Sequence, residues 1–327
     1  MNRLGRQLLR PAIEAAYRRG NRARLPVLMY HRVLPKADPL QPGLIDAAQA
    51  NQQFKVLSEL FNVLHVHEAA DLLKQGRLPP RAIAITFDDG YRDNHDVALP
   101  LLQRHGICAT FYIASGFIDG GRMFHDSVIE AVRRLPTGRL ELQALGLPAF
   151  TIDDDESRRA AIRDIVQAIK YMDLAQRQAV CDQLERATGG NLPRDLMMTS
   201  EQVAEMARRG MSIGGHTVQH PILQRVDEAA ARNEIATNRS TLAAILGEAP
   251  RTFAYPNGKP RRDYTCGHVQ MLRDVGYEAA VSTAVGVSDQ GADVFQLPRF
   301  VITESTYSTI LFRLLRMSSV LTNDYSC

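Results

Sequence analysis

The stretch Ile83-Ala84-Ile85-Thr86-Phe87-Asp88-Asp89-Gly90 decides how this chain folds. Its first five residues are apolar, small or β-branched, which suits a strand buried on both faces of a parallel sheet. Gly90 permits the sharp turn that ends the strand. Asp88 and Asp89 then fall at the strand's C-terminal end, where α/β folds place their ligands. Adjacent carboxylates repel there, so either one takes up a proton or a cation sits between them and keeps both ionised. An isolated Asp-Asp-Gly has a second reading, a solvated turn.

A second motif turns the balance toward a cation. Gly214-Gly215-His216-Thr217-Val218-Gln219-His220-Pro221 carries two histidines four residues apart. On a helix or helical turn that spacing puts both imidazoles on one face, as metal ligation requires. Position 217 is Thr, so the pair lacks the general base of the His-Glu-x-x-His proteases. Pro221 stops a long helix from running through. Two histidines and one aspartate form a three-ligand set with a position left open for water, the arrangement of a catalytic metal.

With these two motifs, in this order, the sequence resembles the polysaccharide deacetylases with a NodB-like domain, carbohydrate esterase family 4. The motifs read Thr86-Phe87-Asp88-Asp89-Gly90 and His216-Thr217-Val218-Gln219-His220-Pro221, and the resemblance spans roughly residues 26–302. It implies an α/β fold, a distorted (β/α) barrel, in which Asp89, His216 and His220 hold the metal and Asp88 is the general base. A branch of the family with an opening strand like Pro26–Val33 places the histidine of that strand at the active site. The late region Gln296–Phe300 has no histidine, so His31 is the candidate general acid; its other reading is a structural residue at a strand end. Phe253-Ala254-Tyr255-Pro256-Asn257-Gly258 matches the family's third motif in position only, with Ala254 where an arginine is usual and Asn257 where a tyrosine is usual. The N–H of Asn257 can still face an oxyanion. Arg299 either replaces the missing arginine by pairing with Asp88 or is a surface charge.

Composition sets outer limits. The 327 residues are 45% hydrophobic and 23% charged, enough for one large domain or a domain with an insertion. No stretch of 18 or more apolar residues occurs, so no segment is expected to span a membrane. The N-terminus has no apolar signal region, so a cytoplasmic location is expected, with peripheral contact to the inner membrane surface as a further reading. Cys108, Cys181, Cys266 and Cys327 are scattered without CxxC spacing, which argues against a zinc-cysteine site and a disulfide framework. The basic character is local: residues 1–24 hold seven arginines and one glutamate, while the whole chain carries only +3. Nucleic acid is not an expected partner, because the remaining basic residues form no stripe.

In chain order, residues 3–19 read as an amphipathic helix, with Leu4, Leu8, Ile13 and Tyr17 on one side and Arg3, Arg6, Arg10 and Arg18 elsewhere. Such a helix either packs on the barrel or lies on an anionic membrane. Residues 25–303 are assigned to the barrel, with an α-helical insertion over about 119–198 in which His125 or Asp126 could reach the site, so that His125 stands as the other candidate acid. Residues 304–327 are read as a final helix and tail, with Leu311, Phe312, Leu314 and Leu315 as its apolar side. The long helix Asp227–Leu246 is read as solvated along its charged face.

The expected activity is metal-dependent removal of N-acetyl groups from amino sugars of a polysaccharide or glycolipid. Zinc is the first choice for such ligands, with cobalt or nickel as alternatives. An esterase or amidase on the same scaffold, or a catalytically silent glycan-binding module, are the competing readings.

Overall fold

The computed structural model describes residues 9–19, 22–320 and 327. Its centre is a parallel sheet that curls toward a barrel. The strands are β1 (Val27–Tyr30), β2 (Asn62–Leu64), β3 (Ala82–Phe87), β4 (Thr110–Ile113), β7 (Ser212–Gly215), β8 (Thr252–Ala254) and β9 (Ala279–Val281). They run in the order β9-β8-β7-β4-β3-β1, with β2 also pairing with β3. Leu297 bridges to Val281 and Phe300 to Leu28, both parallel, so the segment Leu297–Phe300 spans from the last strand to the first. The distorted (β/α) barrel expected from the sequence is the observed architecture.

Strand β3 is buried at every position. Ile83, Ile85 and Phe87 belong to one apolar cluster with Phe54, Leu57 and Phe111. Ala82 and Ala84 belong to another with Tyr112 and Phe253. The pleat explains the split, since successive side chains leave a strand on opposite faces. Register does further work: Tyr30 lies opposite Phe87, and Phe87 opposite Phe111. The three rings stack across β1, β3 and β4, with centroids 5.1 and 4.6 Å apart.

The helices α1 (Leu9–Ala16), α2 (Ala47–Leu60), α3 (Val66–Lys74), α4 (Leu99–Arg104), α8 (Ser200–Arg208), α9 (Glu228–Leu246), α10 (Cys266–Val275) and α11 (Tyr307–Met317) surround this sheet or follow it. Several begin where the sequence demands it. Thr199 caps α8 in a reciprocal box with Gln202, and Asp46 does the same for α2 with Gln49. Gly247, at φ 79°, ends α9 in the left-handed conformation glycine adopts freely.

Between β4 and β7 the chain leaves the barrel. Helices α5 (Phe124–Arg134), α6 (Asp155–Ile169) and α7 (Leu174–Ala187) pack around their own apolar cluster of Val128, Val132, Ile165, Val180 and Leu184. This region also contains an antiparallel hairpin, β5 (Gly138–Leu140) with β6 (Phe150–Ile152), that the sequence reading did not include. Its strands are three residues each, too short to show an alternating pattern.

Two expectations are corrected. Cys266 and Cys327 form a disulfide across 61 residues, a pairing that sequence spacing cannot reveal. The buried side of α11 is Ile310, Leu314 and Met317, with Leu311 and Leu315 partly buried against the same cluster and Phe312, expected among them, 68% exposed. The i, i+4, i+7 period, rather than the run of apolar letters, selects the buried face. Of the two readings of the N-terminal helix, packing on the barrel is the one observed: Ile13 and Tyr17 are buried, and the Tyr17 hydroxyl donates to the Leu314 carbonyl at 2.6 Å. Leu4, Leu8, Arg3 and Arg6 lie outside the described residues. Arg10 donates to the Glu59 carbonyl, fastening α1 to the end of α2. Ile13→Ala is therefore expected to cost about 2–4 kcal/mol in denaturant unfolding, whereas Arg18→Ala on the exposed side should cost under about 0.5 kcal/mol.

Candidate active site

The sheet delivers its chemistry at the C-terminal ends of its strands. Asp88 and Asp89 follow β3, His216 and His220 follow β7, Asn257 follows β8, and His31 follows β1. Arg299 lies in the segment that bridges β9 and β1. Asp89, Thr217, His220 and Asn257 have positive φ of 78°, 64°, 51° and 59°. Backbone strain of this kind, about 1–3 kcal/mol per residue, persists where the surroundings over-determine it.

The two neighbouring acids have separate partners. Asp88 receives a two-pronged ion pair from Arg299, NH1 to Oδ1 at 2.6 Å and NH2 to Oδ2 at 2.7 Å, with both side chains buried. Arg299 is held in turn by the Ser282 carbonyl and by Thr86 Oγ1, each at 3.0 Å. Burial opposes ionisation of Asp88, but the charge and hydrogen bonds of Arg299 outweigh it and lower its pKa. Of the two readings of Arg299, the pairing with Asp88 is the one observed.

Asp89 faces the histidines instead. Its Oδ1 lies 3.4 Å from His216 Nε2 and 3.5 Å from His220 Nε2. The two Nε2 atoms are 3.1 Å apart. Ligands about 2.05 Å from a tetrahedral ion stand about 3.3 Å from one another, so these separations fit one shared cation. The donor chemistry agrees. Asp89 Oδ1 is buried without a hydrogen-bond partner among the described residues, and His216 Nδ1 lies 2.7 Å from the Ala254 carbonyl. That contact makes Nδ1 the protonated nitrogen and turns the Nε2 lone pair toward Asp89. Burial first, then His216, push His220 down to about 3, with His125 and Arg177 adding to the effect. His220 is thus a neutral donor at physiological pH.

The i, i+4 histidine spacing does not sit on a helix, contrary to the sequence expectation. Residues 216–222 form an irregular turn, and the left-handed Thr217 and His220 bring the rings together. Helix α9 shapes this turn. Asn238 Oδ1 accepts from the His216 N–H at 3.1 Å, while its Nδ2 donates to the Thr217 carbonyl at 2.6 Å. Glu234 Oε2 accepts from the N–H groups of Val218 and Gln219, both at 2.8 Å. The charged face of α9 is therefore partly a brace, a role that a single sequence does not signal. Gly214 and Gly215 are required for space: a Cβ would meet the Tyr112 ring at 2.5 Å from the first and the Tyr277 hydroxyl at 2.1 Å from the second.

The candidate acids differ in their freedom. His31 is near enough for its charge to act on Asp88 and Asp89, and its ring has no hydrogen-bond partner among the described residues. His125 is engaged, with Nε2 2.6 Å from the Tyr91 hydroxyl. That hydroxyl also donates to Asp126 at 3.0 Å. Its single proton cannot serve both, so His125 Nε2 becomes the donor to Tyr91. Arg32 covers the Tyr91 ring at 4.6 Å and pairs with Asp93 at 2.8 Å. Asn257 fastens its loop through its carbonyl, which accepts from Thr283 Oγ1 at 2.7 Å.

Buried carboxylates and imidazoles at the C-terminal rim of a curled parallel sheet define a hydrolase-type centre. The sequence profile of the family described as Polysaccharide deacetylase matches residues 75–280, and the chain belongs to that family. It is accordingly a carbohydrate deacetylase. YxkH of Bacillus subtilis, assigned to the same family, is 22% identical over 279 residues, covering 85% of this chain and 71% of YxkH. Among solved structures, the Streptococcus pyogenes deacetylase PplD in complex with acetate aligns with a TM-score of 0.61 at 19% identity, over 90% of this chain and 99% of that one. IcaB from Ammonifex degensii aligns at 0.57 with 21% identity, over 89% and 97%. These likenesses support the barrel assignment.

Breaking the buried fork should be costly. Arg299→Met leaves Asp88 ionised and unpaired, with an expected loss of about 3–5 kcal/mol in denaturant unfolding. Adding Asp88→Asn to that variant should recover at least about 1 kcal/mol; no recovery would show that the two side chains are not energetically coupled.

Proposed function

We propose that the chain removes N-acetyl groups from amino sugars of a polysaccharide or glycolipid, with a divalent cation held by Asp89, His216 and His220. The observation carrying this reading is the division of labour between adjacent acids. Asp89 points an unsatisfied oxygen at two imidazoles, while Asp88 is kept ionised by Arg299. Zinc suits two nitrogens and one oxygen, and cobalt or nickel would suit them too. When bound there, the ion supplies Lewis acidity toward the acyl oxygen and lowers the pKa of water.

The remaining steps belong to protein groups. Each Asp88 oxygen uses one lone pair on Arg299 and keeps another, so the carboxylate can accept a proton from attacking water. Arg299 fixes its orientation and its charge. The Asn257 N–H is assigned to the oxygen on which negative charge develops. His31, whose ring is uncommitted, is assigned to protonate the departing amine; His125 is already tied to Tyr91. The Cys266–Cys327 bridge favours a compartment where thiols stay oxidised over the reducing cytosol expected from the N-terminal sequence.

Acetate release over N-acetylated oligosaccharides and lipid-linked sugars, combined with elemental analysis, tests the reading. Asp88→Asn should lower turnover by about 100-fold or more with metal content unchanged. His216→Ala should lose the metal itself. Undiminished turnover in Asp88→Asn, or full metal content in His216→Ala, would remove the roles given to them.

A further inference from the structure

Beside the site, between the inserted helices and the His216–His220 turn, lies a cavity of about 350 Å³, within the range of small-ligand sites. Gln219, the neighbour of His220, forms part of its barrel-side wall, and Phe124 and Arg177 part of the wall from the insertion. Arg177 is 8% exposed, and its guanidinium carbon sits 4.4 Å from the centroid of the Phe124 ring. Among the described residues it has no ion-pair partner and no side-chain hydrogen bond. The other charges lining the cavity are engaged. Arg122 donates to Glu185 at 2.7 Å, Arg194 lies 3.8 Å from that carboxylate, and Asp182 accepts from Gln178 at 2.7 Å.

Three guanidinium groups thus face two carboxylates, and the uncommitted positive charge is Arg177. A largely buried cation without a counter-charge is unfavourable. A fold retains one most readily where the counter-charge arrives with a ligand. The planar guanidinium fork matches carboxylate and phosphate oxygens in pairs. We propose that this cavity is a subsite for an anionic group, carboxylate or phosphate, on the glycan next to the acetylated sugar, with Arg177 as its recognition residue. The proposal rests on the deacetylase reading and names a substrate class within it.

Calorimetric binding to the full chain carrying Asp88→Asn tests it with three probes: the neutral N-acetylglucosamine dimer, the glucuronic acid–N-acetylglucosamine disaccharide, and N-acetylglucosamine 1-phosphate. At least one acidic probe should bind about tenfold or more tightly than the neutral one, and the better of the two distinguishes carboxylate from phosphate. Arg177→Gln should erase that preference and Arg177→Lys retain part of it. Equal affinity for neutral and acidic probes, or a preference that survives Arg177→Gln, overturns the subsite. Should Arg177→Gln fail to fold, the comparison among probes still decides, since it needs no change at 177. Acetate release by the unaltered enzyme separates the two claims. An acidic preference in binding with no acetate from any probe keeps the subsite and rejects the deacetylase reading; release at equal KM from neutral and acidic probes does the reverse.

Discussion

Two carboxylates on consecutive residues at a buried strand end must be kept from neutralising each other, and the site follows from how that is done. A strand would send the two side chains to opposite faces, but Asp89 has already turned into the left-handed region at φ 78°. Asp88 meets a guanidinium and Asp89 meets two imidazoles. Each acid thus gains its own counter-charge. One is covalently part of the chain, and the other is a donor set suited to a cation.

This demand reaches outward through the backbone. The turn bearing the histidines runs through left-handed residues, and its N–H groups would lack partners if α9 did not offer Glu234 and Asn238. The same Asn238 donates to the Ile113 carbonyl at the end of β4, which joins that strand, the histidine turn and a surface helix in one polar network. Such a network is high-stakes, because each partner removed leaves a buried group unsatisfied. The two glycines at the end of β7 allow helix and turn to approach this closely.

The sequence made the central part of this legible. An all-buried strand ending in two acids, and histidines four apart after paired glycines, are local patterns, and local patterns survive without an alignment. The capping boxes of α2 and α8 are local as well, each joining residues three apart. What escaped were pairings over longer separations, Asn238 with the histidine turn and Cys266 with Cys327, and a hairpin inside the insertion whose strands are too short to show a pattern. Each joins residues whose types are ordinary in their own segments. The helical reading of the histidine pair failed differently. Spacing fixes which residues share a face only once the backbone is known, and the positive φ at Thr217 and His220 gave the same proximity without a helix. Arg299 lay between these cases, because pairing with Asp88 was one of its two readings and the structure was needed to choose it.

The placement of Arg299 joins folding to chemistry. It stands on Leu297–Phe300, the segment whose bridges to β9 and β1 complete the curl of the sheet. The residues carrying Asp88 and Arg299 are separated by 211 positions, so the fork forms only after most of the chain is in place. In the closed fold the guanidinium more than offsets the burial that by itself would raise the pKa of Asp88. Closure of the barrel and the orientation of Asp88 by Arg299 are therefore one event. A partly folded chain would hold the metal-ligand candidates Asp89, His216 and His220 on separate strand ends, with Asp88 not yet set as a base, and the reactive state of the centre is reserved for the closed fold.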